Sequence, residues 1–193
     1  MTPIKVLLID DEKDYCVALA GEARQYNIQI IDAQNLEIGL QLLKDDATFQ
    51  FVILDGKCLM DEDQEIPKEN FVHAAIESIK ELKHTENRII PFCVNTGFMK
   101  DLSSSLEGRA KVFQKDHDSK PMFDFVLNEI SNLGITSLKD KYKKAFDIFN
   151  SGWLGIEHQD KLIKILEALE ENKHEKEYFN VIRELYEECL KTL

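Results

Sequence analysis

Five short apolar runs, each followed by an amphipathic stretch, constrain this chain more than any other feature. The runs are IKVLLID at 4–10, IQIID at 28–32, FQFVILD at 49–55, RIIPFCVNT at 88–96 and AKVFQK at 110–115. They are mostly rich in Val, Ile and Phe, and several are apolar on both faces, as buried parallel strands are. Between them YCVALAGEARQY, LEIGLQLLK, ENFVHAAIESIKELK and FMKDLSSSLEG have helical spacing, and MFDFVLNEISNL comes after the last run. Parallel strands joined through helices require right-handed crossovers, so five βα units in series predict an α/β fold with a five-stranded, doubly wound parallel sheet. Pro91 cannot donate to a ladder, which places it at the entrance of the fourth strand.

After SNLGITS at 131–137 the strand signals stop. LKDKYKKAFDIFNS, EHQDKLIKILEALEENK and EKEYFNVIRELYEECLKTL predict a small all-α domain of about three helices. The expected division is a strand-bearing domain over 1–131 and a helical domain over 135–193. With 44% hydrophobic residues, 8 Gly and 4 Pro, the chain has the composition of a folded globular protein. Its net charge of -12 disfavours non-specific binding to nucleic acid or anionic lipid. The four cysteines, Cys16, Cys58, Cys93 and Cys189, form no CxxC pair and fit a reducing compartment. No apolar run approaches the ~18 residues of a membrane span, and there is no charged start leading into an apolar leader. A cytoplasmic protein is the expectation.

The chemistry is concentrated where strands end. VLLIDDEKDYC runs a buried strand straight into Asp10, Asp11 and Glu12. Adjacent carboxylates at the end of a low-dielectric strand repel, and such a cluster persists when something positive neutralises it; a metal ion is the obvious candidate. In a doubly wound sheet ligands collect at the carboxyl ends of the strands. The first strand ends in Asp10 and Asp11, the third in Asp55, the fourth in Thr96 and Gly97, the fifth in Lys115. Three carboxylates suit Mg²⁺, a carboxylate can act as nucleophile to form an acyl phosphate, and a hydroxyl with an ammonium can bind phosphoryl oxygens.

These residues resemble, over residues 1 to about 131, the receiver domain of two-component response regulators. The matching motifs are the acidic pair, the aspartate ending FVILD, the hydroxyl and small residue of PFCVNTG, and the lysine ending the fifth strand. The resemblance implies a flavodoxin-like sheet of order 2-1-3-4-5. It implies Asp55 as phosphoacceptor, Thr96 as switch hydroxyl and Lys115 as the phosphate's ammonium partner. Asp10, Asp11, Asp55 and the backbone carbonyl of Lys57 would hold Mg²⁺. A response regulator so built takes its phosphoryl group from a sensor histidine kinase or phosphotransfer protein, and catalyses only its own phosphorylation and dephosphorylation.

The chain departs from that pattern in three places. Receivers commonly carry Lys-Pro after the fifth strand; here Lys115 precedes Asp116, while Lys120 lies in SKP at 119–121 and is the other candidate for the ammonium. Val112 stands where an aromatic switch residue is common. GKCLMDEDQEIPKEN after Asp55 is long and acidic through 60–66, and adds either negative charge beside the site or a flap over it. These departures favour the alternative reading, a receiver-like scaffold that binds partners without phosphate cycling, while the intact acidic triad, Thr96 and Lys115 argue against it.

The helical tail offers no basic recognition helix. Residues 135–193 hold ten basic and twelve acidic side chains, and a helix carrying Glu175, Glu177, Glu184, Glu187 and Glu188 would be repelled from a DNA groove. Phe179, Ile182, Leu185, Tyr186 and Leu190 recur at helical spacing, for which packing within a bundle is the default and a protein effector or self-association the addition to it. Trp153 is expected as a packing anchor between helices. His158 begins a helix with no phosphotransfer motif around it and reads as a surface cap residue.

Overall fold

The structure is a computed structural model that describes residues 3–191 except 65, 69, 86–87 and 174–175. Its strands are β1 (Ile4–Ile9), β2 (Ile28–Ala33), β3 (Phe51–Leu54), β4 (Phe92–Thr96) and β5 (Lys111–Gln114). The helices are α1 (Lys13–Ala23), α2 (Leu36–Asp45), α3 (Phe71–Thr85), α4 (Met99–Leu102), α5 (Ser119–Lys141), α6 (Lys143–Asn150), α7 (Gln159–Glu170) and α8 (Lys176–Lys191). All five strands are parallel, in the order β2-β1-β3-β4-β5. The flavodoxin-like sheet is therefore as expected.

The period-2 alternation of the strands divides the apolar side chains between two cores. Leu7, Ile9, Val52, Leu54 and Val94 face the layer of α2 and α3. Val6, Leu8, Phe51, Ile53 and Cys93 face α1 and the first turns of α5, where they meet Leu19, Phe123 and Val126. Every residue of β3 is wholly buried, which is why FVIL shows no polar face in the sequence. Pro91 sits just before β4, where its carbonyl accepts from Val52 N at 3.0 Å and its missing N–H leaves the ladder intact. Arg88 ties the end of α2 to the start of β3, donating to the carbonyls of Leu43 (2.6 Å), Phe49 (2.8 Å) and Asp46 (3.3 Å).

Two helices differ from the sequence reading. α4 is a single turn, Met99–Leu102, instead of the longer stretch at 98–108, because SSSLEG carries three serines that compete for backbone hydrogen bonds and ends in Gly108 at φ +70°. α5 runs without interruption from Ser119 to Lys141, through the segment read as a connection. Gly134 lowers helix propensity by about 1 kcal/mol but removes no backbone donor, and no proline comes after it to stop the helix.

By compactness the chain divides into two units, Met1–Ile130 and Ser131–Leu193. The second has a small core of Leu138, Ile163 and Leu166, with Ile135, Tyr142, Phe146 and Leu162 against it. Lys141 binds Glu170 at 2.6 Å, and Tyr142 donates its hydroxyl to the same carboxylate. Trp153, expected as a packing anchor, is 47% exposed, while the neighbouring Leu154 is buried. Nor does α8 enter a bundle core, since none of its residues is buried. No described helix is long and apolar enough to cross a membrane.

Candidate metal and phosphoryl site

Strand pairing brings the predicted residues to one end of the sheet. Asp10 N donates to Ala33 O at 3.0 Å, Asp55 N to Ile9 O at 2.9 Å, and Lys115 N to Thr96 O at 3.1 Å, so each of these residues, one past the end of its strand, is still held by a backbone bond to the neighbouring strand. Ligating oxygens of Asp10, Asp11 and Asp55 lie within 4.8 Å of one another. The Lys115 ammonium stands 2.8 Å from Asp10 Oδ2, 3.3 Å from Asp55 Oδ1 and 3.5 Å from Glu12 Oε1. Lys120, by contrast, is exposed on the first turn of α5.

The electrostatics are those of like charges held in a dry place. Burial first, and the neighbouring Asp10 second, push the Asp55 carboxyl up to about 7 against the pull of Lys115. Burial likewise raises Asp10, although Lys115 draws it down. Burial would pull Lys115 down, but the Asp55, Asp10 and Glu12 carboxylates outweigh it and hold the ammonium above its ordinary value. One cation thus faces three carboxylates at close range. Asp10 Oδ2 is completely buried and accepts no well-directed hydrogen bond among the described residues, while Asp10 Oδ1 accepts from Glu12 N at 2.9 Å. An all-oxygen donor set with a spare buried lone pair fits a hard divalent cation such as Mg²⁺.

Thr96 is wholly buried. Its hydroxyl oxygen accepts from Phe98 N at 3.0 Å and lies against the backbone of Gly56, the residue after Asp55. A Cβ on Gly56 would stand 2.1 Å from that oxygen, so the close approach of β3 to β4 requires glycine here. Lys57 lines the open cavity of about 630 Å³ above the carboxylates, together with Asp11, Asp55, Phe98 and Lys115; its ammonium sits 4.4 Å over the Phe98 ring.

The departures from the receiver pattern have local structural reasons. Asp116 adopts φ +65°, a conformation that Asp tolerates and Pro cannot reach, so the turn after β5 is built without Lys-Pro. Asp118 closes that turn by accepting from Gln114 N at 3.0 Å. The long loop after Asp55 is tied to α2: the carbonyls of Leu59 and Met60 accept from Leu36 N and Glu37 N, both at 3.0 Å, and satisfy donors left open at the helix start. Among the described residues of this loop, only Lys57 and Pro67 line the cavity; Asp61, Glu62 and Asp63 do not. Residue 65 of the acidic stretch lies outside the described residues.

Sequence reasoning missed Tyr15 and Asn95. The Lys115 ammonium rests 4.6 Å from the Tyr15 ring centroid, and Asn95 Nδ2 donates to the Tyr15 hydroxyl. In DDEKDY nothing separates Tyr15 from an ordinary packing aromatic of α1. Only the tertiary arrival of Lys115 gives its ring a cation to hold.

Comparison with family models and with curated proteins finds no match. Solved structures do match in fold. A response regulator receiver domain protein from Clostridium thermocellum superposes with TM-score 0.50 at 15% identity, over 69% of this chain and 98% of that one. The receiver domain of the Francisella response regulator 1452 gives 0.50 at 14% identity, over 67% and 98%. A response regulator from Thermotoga maritima gives 0.50 at 16% identity, over 68% and 99%. The β-sheet part of this chain therefore has the fold of response regulator receiver domains, and the remaining third of the chain is helical.

Proposed function

We propose that this chain is a response regulator of a two-component phosphorelay, phosphorylated on Asp55 and signalling through its helical segment to a protein rather than to DNA. The observation that carries this reading is the meeting of three carboxylates within 4.8 Å with a buried ammonium 3.3 Å from Asp55. The domains are then a receiver over 1–131 and an interaction module over 135–193. A sensor histidine kinase or phosphotransfer protein supplies the phosphoryl group.

In the transfer an Asp55 carboxylate oxygen bonds to phosphorus while the bond from phosphorus to the donor atom breaks, the electron pair leaving with the donor. The product is an acyl phosphate, and hydrolysis returns the carboxylate. Asp10, Asp11, Asp55 and the Lys57 carbonyl would hold Mg²⁺, which when bound supplies positive charge against the carboxylates and the incoming phosphoryl oxygens. Lys115 leaves its pairing with the Asp55 carboxylate for a phosphoryl oxygen, and the Thr96 hydroxyl, free to donate its proton, turns to another. Tyr15 and Asn95 position the ammonium during this exchange.

Intact mass after incubation with Mg²⁺ and acetyl phosphate tests the reading. A single Mg²⁺-dependent phosphoryl adduct that Asp55→Asn abolishes is the expected result. Full labelling of Asp55→Asn refutes the acceptor. Absence of any adduct, with Mg²⁺ binding absent as well, favours the scaffold that works without phosphate.

A further inference from the structure

The second unit leaves much of its large apolar surface uncovered. On α8, Phe179 (64% exposed), Ile182 (46%), Tyr186 (65%) and Leu190 (48%) form a stripe at spacings of three and four residues. A different flank of the helix meets α7: Tyr178, Val181, Leu185 and Cys189 are half-buried, and the ion pairs Lys161–Glu184 at 2.9 Å and Lys164–Glu177 at 3.6 Å close that side. The stripe's outer edge carries Arg183 and Glu187, both more than half exposed and 3.5 Å apart.

We infer that this stripe pairs antiparallel with the same stripe of a second copy of the chain. A two-fold axis between Glu184 and Leu185 sets Phe179 against Leu190 of the second copy and Ile182 within one residue of its Tyr186. In the same register Arg183 faces Glu187 of the second copy, and Glu187 faces its Arg183. Apolar and charged residues thus agree on one register to within one residue, a rise of about 1.5 Å that side chains span, as a self-complementary interface requires. Charge also permits the pairing, since residues 135–193 are close to neutral while the rest of the chain carries most of the net -12. This inference rests on reading the helical segment as an interaction module, and is independent of chemistry at Asp55.

Sedimentation velocity of the full chain without phosphodonor tests it. Concentration-dependent dimerisation is expected, weakened about tenfold or more by Ile182→Glu with Tyr186→Glu, which circular dichroism should show still helical. Arg183→Glu or Glu187→Arg alone weakens the dimer, and the two together restore it. A chain that stays monomeric up to ~100 µM, far above the Kd of a specific interface, overturns the inference. So does a dimer indifferent to these substitutions, or a double exchange that restores nothing. An adduct on a monomeric chain removes this pairing alone; a dimer that takes no phosphoryl group removes the Asp55 reading alone.

Discussion

The two units of this chain use the same kind of residue in opposite ways. Around the sheet, apolar side chains fill two cores and the charged groups that matter are the buried ones, Asp10, Asp55 and Lys115. In the helical unit the core is small, the ion pairs are exposed, and the large apolar side chains of α8 face outward. The first unit crowds carboxylates whose mutual repulsion a divalent cation would relieve. The second leaves apolar surface uncovered, the kind of patch that marks a contact site.

That contrast can be broken by substitution. Phe51→Ala empties the centre of the sheet and should cost about 3–5 kcal/mol in denaturant unfolding; a small loss would mean the sheet is not the stable body. Gly56→Ala should cost about 1–3 kcal/mol, because its Cβ would press on Thr96 and Leu102. An unchanged stability would show that β3 and β4 can separate there freely. Phe179→Ala, measured at dilution where the chain is monomeric, should change stability by less than about 0.5 kcal/mol. A larger loss would place Phe179 in a core.

pH sharpens the same contrast. The Asp55 carboxyl ionises near 3.8 in the unfolded chain and about 7 in the folded one. Between those values the folded state keeps a proton that the unfolded state has released, so in the absence of divalent ions stability should fall as pH rises through this window. Tm measured at either end of the window, with and without Mg²⁺, checks this; Mg²⁺ should recover the loss at the upper end. An unchanged Tm would mean that the carboxylates are not mutually strained.

Strands and their end residues are legible because a buried parallel strand writes itself as an unbroken apolar run, and the residue just past the run is the one that faces the ligand. Asp10, Asp55, Thr96 and Lys115 can be reached that way. Tyr15 cannot, since its contact depends on where β5 arrives and leaves no trace at its own position. The uninterrupted α5 and the short α4 escape the sequence reading because local propensity is a weak guide where packing decides. For α8 the period is right but its meaning is not: helical spacing marks an apolar face without saying what covers it.

The most direct test is to locate the acyl phosphate by reductive trapping. Borohydride treatment after Mg²⁺ and acetyl phosphate converts the acceptor aspartate to homoserine, and peptide mass spectrometry places it. The account predicts homoserine at position 55 alone. Homoserine at Asp10 or Asp11, or none anywhere in the chain, would contradict it.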